Sequence, residues 1–244
     1  HQAGWRGSVF FVDDNFIGNR RRAKRSLEAI AAWQRRRGFP FAFFTEASVN
    51  LGADDELMRP MRDAGFSFVF LGIETPSIES LLGANKPVNA KLDLLESVRR
   101  IQAYGIEVSG GFIVGFDSDT PSIFQRQIDF IQQSGIVTAM VGMLQAPPGT
   151  RLFDRLAGER RVCTDFSGDN VDGRTNIIPA MGLDRLIDGY RAIMRQIYSP
   201  GKYYQRIRSI LRELKVPVAT VPIDWQRFLA FFRACLRLGV LGKE

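Results

Sequence analysis

The chain has 244 residues, 45% of them hydrophobic and 24% charged, with a net charge of +7 and an isoelectric point near 9.8. That is ordinary globular composition, with length enough for one sizeable core and a smaller appendage. The single histidine is His1 and the two cysteines, Cys163 and Cys235, stand far apart, which excludes chemistry that needs an internal imidazole and any zinc or disulfide framework built on close spacing.

No apolar run reaches the roughly 18 to 20 residues that a membrane-spanning helix needs, and no charged-then-apolar leader opens the sequence. The expectation is a soluble or peripheral, cytoplasmic protein. His1–Trp5 (HQAGW) lacks an initiator Met and reads as the end of a helix feeding a strand, as expected of a piece cut from a longer protein.

From Ser8 onward short β-rich runs alternate with helical stretches, the pattern of a parallel sheet wrapped by crossover helices. The predicted order is strand Ser8–Asp13, helix Arg20–Arg37, strand Phe41–Val49, helix Asp54–Ala64, strand Ser67–Glu74, then a helix over Ile78–Leu82 that continues to Lys91–Tyr104. Strand Glu107–Gly115, helix Pro121–Gln133 and strand Val137–Gln145 follow. The first four strands are nearly continuously apolar, which predicts burial on both faces. Gly38, Gly65, Gly105 and Gly135 each stand where a glycine ends a helix. The unit spacing fits a partial (βα) barrel, with a doubly wound open sheet as the alternative, and either places ligands at the strand C-terminal ends.

Past Thr150 the pattern changes to a helix near Arg151–Leu156, a Gly- and Asp-rich stretch Ser167–Arg174, and helices Leu183–Tyr198, Lys202–Leu214 and Asp224–Leu238. The expected division is a barrel over 1–158 and a helical C-terminal extension over 159–244.

The strand ends collect polar groups. Asp13, Asp14 and Asn15 end the first strand, Glu46 lies late in the second, and Glu74 ends the third. Gly110, Gly111 and Gly115 bracket the fourth, and the fifth runs into Gln145, Pro147, Pro148, Gly149 and Thr150. Carboxylates at buried strand ends are costly unless paired or holding something polar, and glycines there admit a ligand to the backbone. A polar small-molecule site is one reading. The plainer ones are an Asx cap at Asp13 or Asp14, ion pairs of Glu46 or Glu74 with Lys86 or an arginine, and close packing at Gly111 and Gly115.

The strings VFFVDDNFIGN (Val9–Asn19), TEAS (Thr45–Ser48), FLGIETP (Phe70–Pro76), NKPVN (Asn85–Asn89), GGFIVGFDSDT (Gly110–Thr120) and LQAPPGTRL (Leu144–Leu152) resemble the successive strand motifs of radical S-adenosylmethionine (SAM) proteins with a cobalamin-binding domain. With GDNVDGRTNI (Gly168–Ile177) and the helical tail, the chain is similar to the hopanoid 2-methylase group of that family. The resemblance implies that Asp13 and Asp14 meet the amino group of SAM, that Glu74 contacts its ribose or methionine part, and that Gly111 to Gly115 runs beside the adenosyl group. It further implies that Gln145, Gly149 and Thr150 belong to a turn passing the adenine, and that Glu46 lies near substrate or SAM.

The family's CxxxCxxC loop, which ligates a four-iron four-sulfur cluster, is absent, and Cys163 and Cys235 do not replace it. The resemblance implies that this loop and an N-terminal cobalamin-binding domain belong to a longer parent, and that the fragment alone is inactive. In that parent, SAM and cobalamin would serve methyl transfer to an unactivated carbon of a small-molecule or lipid-like (hopanoid) substrate, with peripheral membrane contact through the last helix. Rearrangement or cyclisation by the same class, and a divalent-metal-dependent lyase using Asp13, Asp14, Glu46 and Glu74, stay open. A nucleic-acid-binding module gripping phosphates with Arg20–Arg22, Arg35–Arg37 and Arg160–Arg161 is less expected, because no aromatic-basic motif accompanies them.

Overall fold

The computed structural model describes residues 1–169, 171–214 and 225–239. Five parallel strands, β1 (Gly7–Phe11), β2 (Phe41–Ala47), β3 (Phe66–Glu74), β4 (Glu107–Val114) and β5 (Ala139–Met143), lie side by side in chain order. Helices α1 (Arg20–Arg37), α2 (Asp55–Ala64), α3 (Ile78–Gly83), α4 (Pro87–Lys91), α5 (Leu94–Ala103) and α6 (Ser122–Ser134) fill the crossovers. Strand order that never reverses excludes the doubly wound alternative, which needs a switch point, and leaves half of a (βα) barrel.

Local chemistry explains the boundaries. Asn19 caps α1 by accepting the Arg22 N–H at 3.0 Å, and Gly38 ends it at φ 68°. Asp54 caps α2 by accepting the Leu57 N–H at 3.2 Å. The stretch expected as one interrupted helix from Ile78 to Tyr104 is three helices. Pro87 opens α4 where no N–H is needed, and Asp93 starts α5 by accepting the Glu96 N–H at 2.9 Å.

Each crossover helix turns an apolar stripe to the sheet. Leu27 and Ala31 of α1, Leu57, Met58 and Met61 of α2, Val98 and Ile101 of α5, and Ile128 and Ile131 of α6 are buried against Phe43, Val69, Leu71, Val108 and Val141. Burying each large side chain contributes about 1.5–3 kcal/mol. The expectation that the first four strands are buried on both faces is corrected: burial alternates, as in β2, where Phe41, Phe43, Thr45 and Ala47 are buried and Ala42, Phe44 and Glu46 only half-buried. The reason is that helices cover one face, while the concave face carries Phe10, Phe44, Phe68 and Phe70 and, among the described residues, is only partly filled.

After β5 come α7 (Arg151–Gly158), α8 (Leu183–Ile197), α9 (Pro200–Glu213) and α10 (Trp225–Gly239). The contact of α8 with α6 is close enough that a Cβ on Gly189 would fall 2.2 Å from the Phe124 ring. Asp224, the expected first residue of the last helix, and Asn170 lie outside the described residues.

Candidate functional site

In a parallel sheet every strand ends on the same rim, and that rim gathers the groups that matter here. Phe11 ends β1, and Asp13 Oδ1 accepts the Asn15 N–H at 3.0 Å, closing an Asx turn that presents Asp14. Asn15 ties this turn to the next strand: its Oδ1 accepts the Ser48 N–H at 3.1 Å and the Ser48 hydroxyl at 3.3 Å.

The end of β3 is unusual. Glu74 has φ 68°, a left-handed conformation that side chains rarely adopt, and the register with β4 shifts between Gly72 and Glu74. The Glu74 carboxylate folds back over Gly72, so that a Cβ there would sit 3.1 Å from Oε1. Lys86 Nζ reaches the same Oε1 at 2.9 Å. Asn89 Nδ2 donates to the Gly72 and Ile73 carbonyls at 2.9 and 3.5 Å.

These elements enclose a cavity of about 390 Å³. Asp14, Asn15, Ser48 and Asn50 line one side, Gly72 the floor, and Asn85, Lys86, Pro87, Val88 and Asn89 the other. Its walls carry one acid from β1's loop and one ammonium from the α3–α4 link, the latter shared with Glu74.

The other residues singled out from sequence stand on the same rim but not in this cavity wall. Glu46 is half-buried on the concave face in register with Phe70. A Cβ on Gly111 would meet the Phe70 ring at 2.7 Å, and one on Gly115, at φ 105°, would meet Leu186 at 2.9 Å. Close packing therefore accounts for both glycines. Gln145 donates to the Asp169 carbonyl at 2.8 Å and accepts from the Ser167 hydroxyl at 3.2 Å. Gly149 is at φ 81° with open space around its α-carbon. Thr150 caps α7, accepting the Phe153 N–H at 3.2 Å.

Four contributors are not among the site residues expected from sequence, although Asn15 ends the expected first strand. Asn15, Ser48 and Asn89 stand inside the quoted strings but are neutral amides and a hydroxyl, whose role shows only when two loops meet. Asp119 is buried; it accepts the Gly115 and Phe116 N–H groups at 2.9 and 3.1 Å and the Ser80 hydroxyl at 2.7 Å. Burial pushes its carboxyl above the usual range, and the bonds tie the β4 exit to α3. The GDNVDGRTNI stretch is laced to the β5 exit: Asn176 exchanges two 2.8 Å hydrogen bonds with the Ala146 backbone.

Among the described residues no group of three or more His, Cys, Asp or Glu side chains is arranged to hold a metal ion. Asp13, Asp14, Glu46 and Glu74 thus do not assemble the cation site that a lyase reading requires. Two basic clusters lie on α1 and the third in the turn after α7, and they are partly spent in ion pairs, such as Arg20 with Asp54 and Glu56, and Arg161 with Asp117 and Glu159.

A family profile described as a domain of unknown function, DUF4070, matches residues 150–244. An uncharacterized methyltransferase of Synechocystis is 40% identical over 219 residues, covering 89% of this chain and 41% of its own length. Hopanoid C-2 methylase of Rhodopseudomonas palustris is 39% identical over 205 residues, covering 84% of this chain and 38% of its own. The chain therefore spans well under half the length of these relatives. Among solved structures, the radical SAM methyltransferase TsrM of Kitasatospora setae, with cobalamin and a [4Fe-4S] cluster bound, superposes with a TM-score of 0.56 at 16% identity, covering 96% of this chain and 48% of that one. The chain is thus similar to curated methyltransferases over less than half of their length, and its half-barrel shares the fold of this radical SAM methyltransferase.

Proposed function

We propose that this chain is the SAM-binding half-barrel of a cobalamin-dependent radical SAM methyltransferase, over 1–158, with a helical extension over 159–244. The observation that carries the reading is the rim cavity with Asp14 on one wall and Lys86 on the other. The methionine end of SAM bears an ammonium and a carboxylate, and an acid facing a lysine across a polar cavity fits that zwitterion. Gly72 makes room at the floor for the Glu74 carboxylate, which lies where a side chain would otherwise stand.

Cys163 and Cys235 are free, exposed thiols and form no cluster-ligating set. The cluster and cobalamin are therefore assigned to parts of the longer protein outside this chain. When bound with them, SAM supplies a radical able to take hydrogen from unactivated carbon, and cobalamin supplies the methyl group. The residues of this chain bind and orient: Asp14 holds the ammonium, Lys86 the carboxylate, and Asn15 and Ser48 fix the Asp14 loop.

The concave face below the rim supports an apolar substrate. Phe10, Phe44 and Phe68 follow one register row, the first two stacked at 4.9 Å and the next pair edge-to-face at 6.1 Å. Rings there exclude water and match a lipid-like, polycyclic carbon skeleton. The 39% identity to a hopanoid C-2 methylase supports a hopanoid. Exposed Trp225, Phe228, Phe231, Phe232 and Leu236 share α10 with Arg233 and Arg237 and no acid, a composition that suits peripheral contact with a bilayer.

The test uses the full-length protein with its cofactors reconstituted. D14N and K86A are each expected to weaken SAM binding about tenfold or more, the loss of one charge-assisted contact, in equilibrium dialysis. Unchanged affinity in both sinks the assignment of the cavity. Mass spectrometry of the lipid product separates methylation from rearrangement or cyclisation. Deleting α10 is expected to reduce cosedimentation with anionic liposomes, and undiminished binding removes the membrane reading.

A further inference from the structure

Two side chains one turn apart on the short α4 segment act on the same strand end. Lys86, its N-cap, pairs with the Glu74 carboxylate at 2.9 Å, and Asn89 donates to the carbonyls of Gly72 and Ile73. Asn89 is only 5% exposed, and among the described residues its amide makes no other hydrogen bond. The carbonyls it grips belong to the bulge where β3 slips relative to β4, the site at which ladder hydrogen bonding is interrupted.

A left-handed backbone at a non-glycine residue persists only where its surroundings over-determine it. Glu74 is neither Gly nor Asn, and the Thr75 N–H closes a turn over it to the Ile73 carbonyl at 3.0 Å. We infer that Asn89 is a positioning residue: by clamping the bulged end of β3 it holds Glu74 in the turn that carries its carboxylate back over Gly72 to Lys86 at the cavity wall. Released from the clamp, Glu74 returns to an extended backbone, its carboxylate leaves Gly72, and Lys86 loses its fixed direction. The inference rests on the proposal that SAM occupies this cavity.

The experiment is a double-mutant cycle on the full-length reconstituted protein, with SAM affinity from equilibrium dialysis and unfolding midpoints read in parallel. N89A is expected to weaken SAM binding about tenfold, as does E74Q, while N89A added to E74Q weakens it by less than about twofold more, because Asn89 acts through Glu74. N89D preserves the shape but turns an oxygen toward two carbonyls, and is expected to match N89A. Equal losses from N89A in both backgrounds overturn the inference, since Asn89 would then act independently of Glu74. Unfolding of N89A and N89D alike also overturns it, because the residue would be purely structural. The wild-type affinity and the D14N and K86A variants report separately on whether SAM uses the cavity, so the two failures are distinguishable.

Discussion

Arg206 of α9 is fully buried and, among the described residues, has no carboxylate partner, which makes its removal a sharp test of how the helical extension is held. Its Nη1 donates to the Ile197 carbonyl at the end of α8 and, at 3.2 Å, to Gln132 Oε1 of α6; its Nη2 donates to the Val137 carbonyl at 3.3 Å. Tyr198 and Tyr203 rings lie 5.8 and 5.7 Å from the guanidinium carbon. Burial lowers its pKa, and Nε has no partner, so the desolvation cost opposes these contacts. Truncation leaves two buried carbonyls and the half-buried Gln132 amide oxygen without this donor, at about 1 kcal/mol each or about 3 kcal/mol together. For a chain of this size that is a fall in Tm of roughly 6–12 °C. R206A and R206M should both show the loss in thermal and urea unfolding, R206M somewhat less because it fills the volume. An R206M protein as stable as wild type would refute the reasoning, since it would mean that desolvation of the charge cancels all it binds.

Other predictions follow from packing and charge. Glu107 sits half-buried at the far end of the phenylalanine row, in register with Phe68, and burial pushes its carboxyl up. A carboxyl whose folded pKa exceeds its unfolded value costs stability once pH rises above the unfolded pKa, so E107Q should stabilise at pH 7 and lose that advantage near pH 3; equal gains at both, by urea midpoint, would contradict it. Asp117 is held below the carboxylate range by Arg161 and then Arg155. Its contribution is present above the unfolded pKa and lost as pH falls through the folded one, and because the group is largely exposed D117N should cost less than about 1 kcal/mol, shrinking in high salt. G189A, which in an open helix would gain about 1 kcal/mol, should instead destabilise by about 1–3 kcal/mol because of the Phe124 ring. D119N, whose oxygen can still accept the Gly115 and Phe116 N–H groups while its NH2 donates to the Ser80 hydroxyl, should unfold close to wild type, whereas D119A should lose about 2 kcal/mol in urea unfolding.

The crossover pattern was legible because each signal is local. α1 spans the predicted Arg20–Arg37, and Gly38, Gly65, Gly105 and Gly135 all take positive φ. What was not legible depends on contacts between elements distant in sequence. The α3–α4 break turns on Pro87 and on a clamp reaching from Asn89 back to Gly72. Gly111 and Gly115, read in sequence as openings for a ligand or as packing positions, admit a ring from β3 and a leucine from α8. Neutral Asn15, Ser48 and Asn89 give no compositional signal, because an amide is informative only when its partner is known.

The half-barrel keeps apolar and polar work at separate heights, and this bears on why charges can stand at its rim. Along the concave face the rows run from Phe10, Phe44 and Phe68 through Glu46 and Phe70 to Gly72 and Gly111. At the glycine row neighbouring side chains take the space, the Glu74 carboxylate over Gly72 and the Phe70 ring over Gly111. On the proposed reading, the ionic end of SAM would meet Asp14 and Lys86 beside that carboxylate, in a setting less screened than open water. Filling the glycine row separates the two levels: a Cβ from G72A would lie 3.1 Å from Glu74 Oε1 and crowd the carboxylate that Lys86 holds, while leaving the phenylalanine row intact. It is therefore expected to weaken SAM binding without changing retention of an apolar ligand, and a G72A protein that loses both equally would show that the two levels are one site.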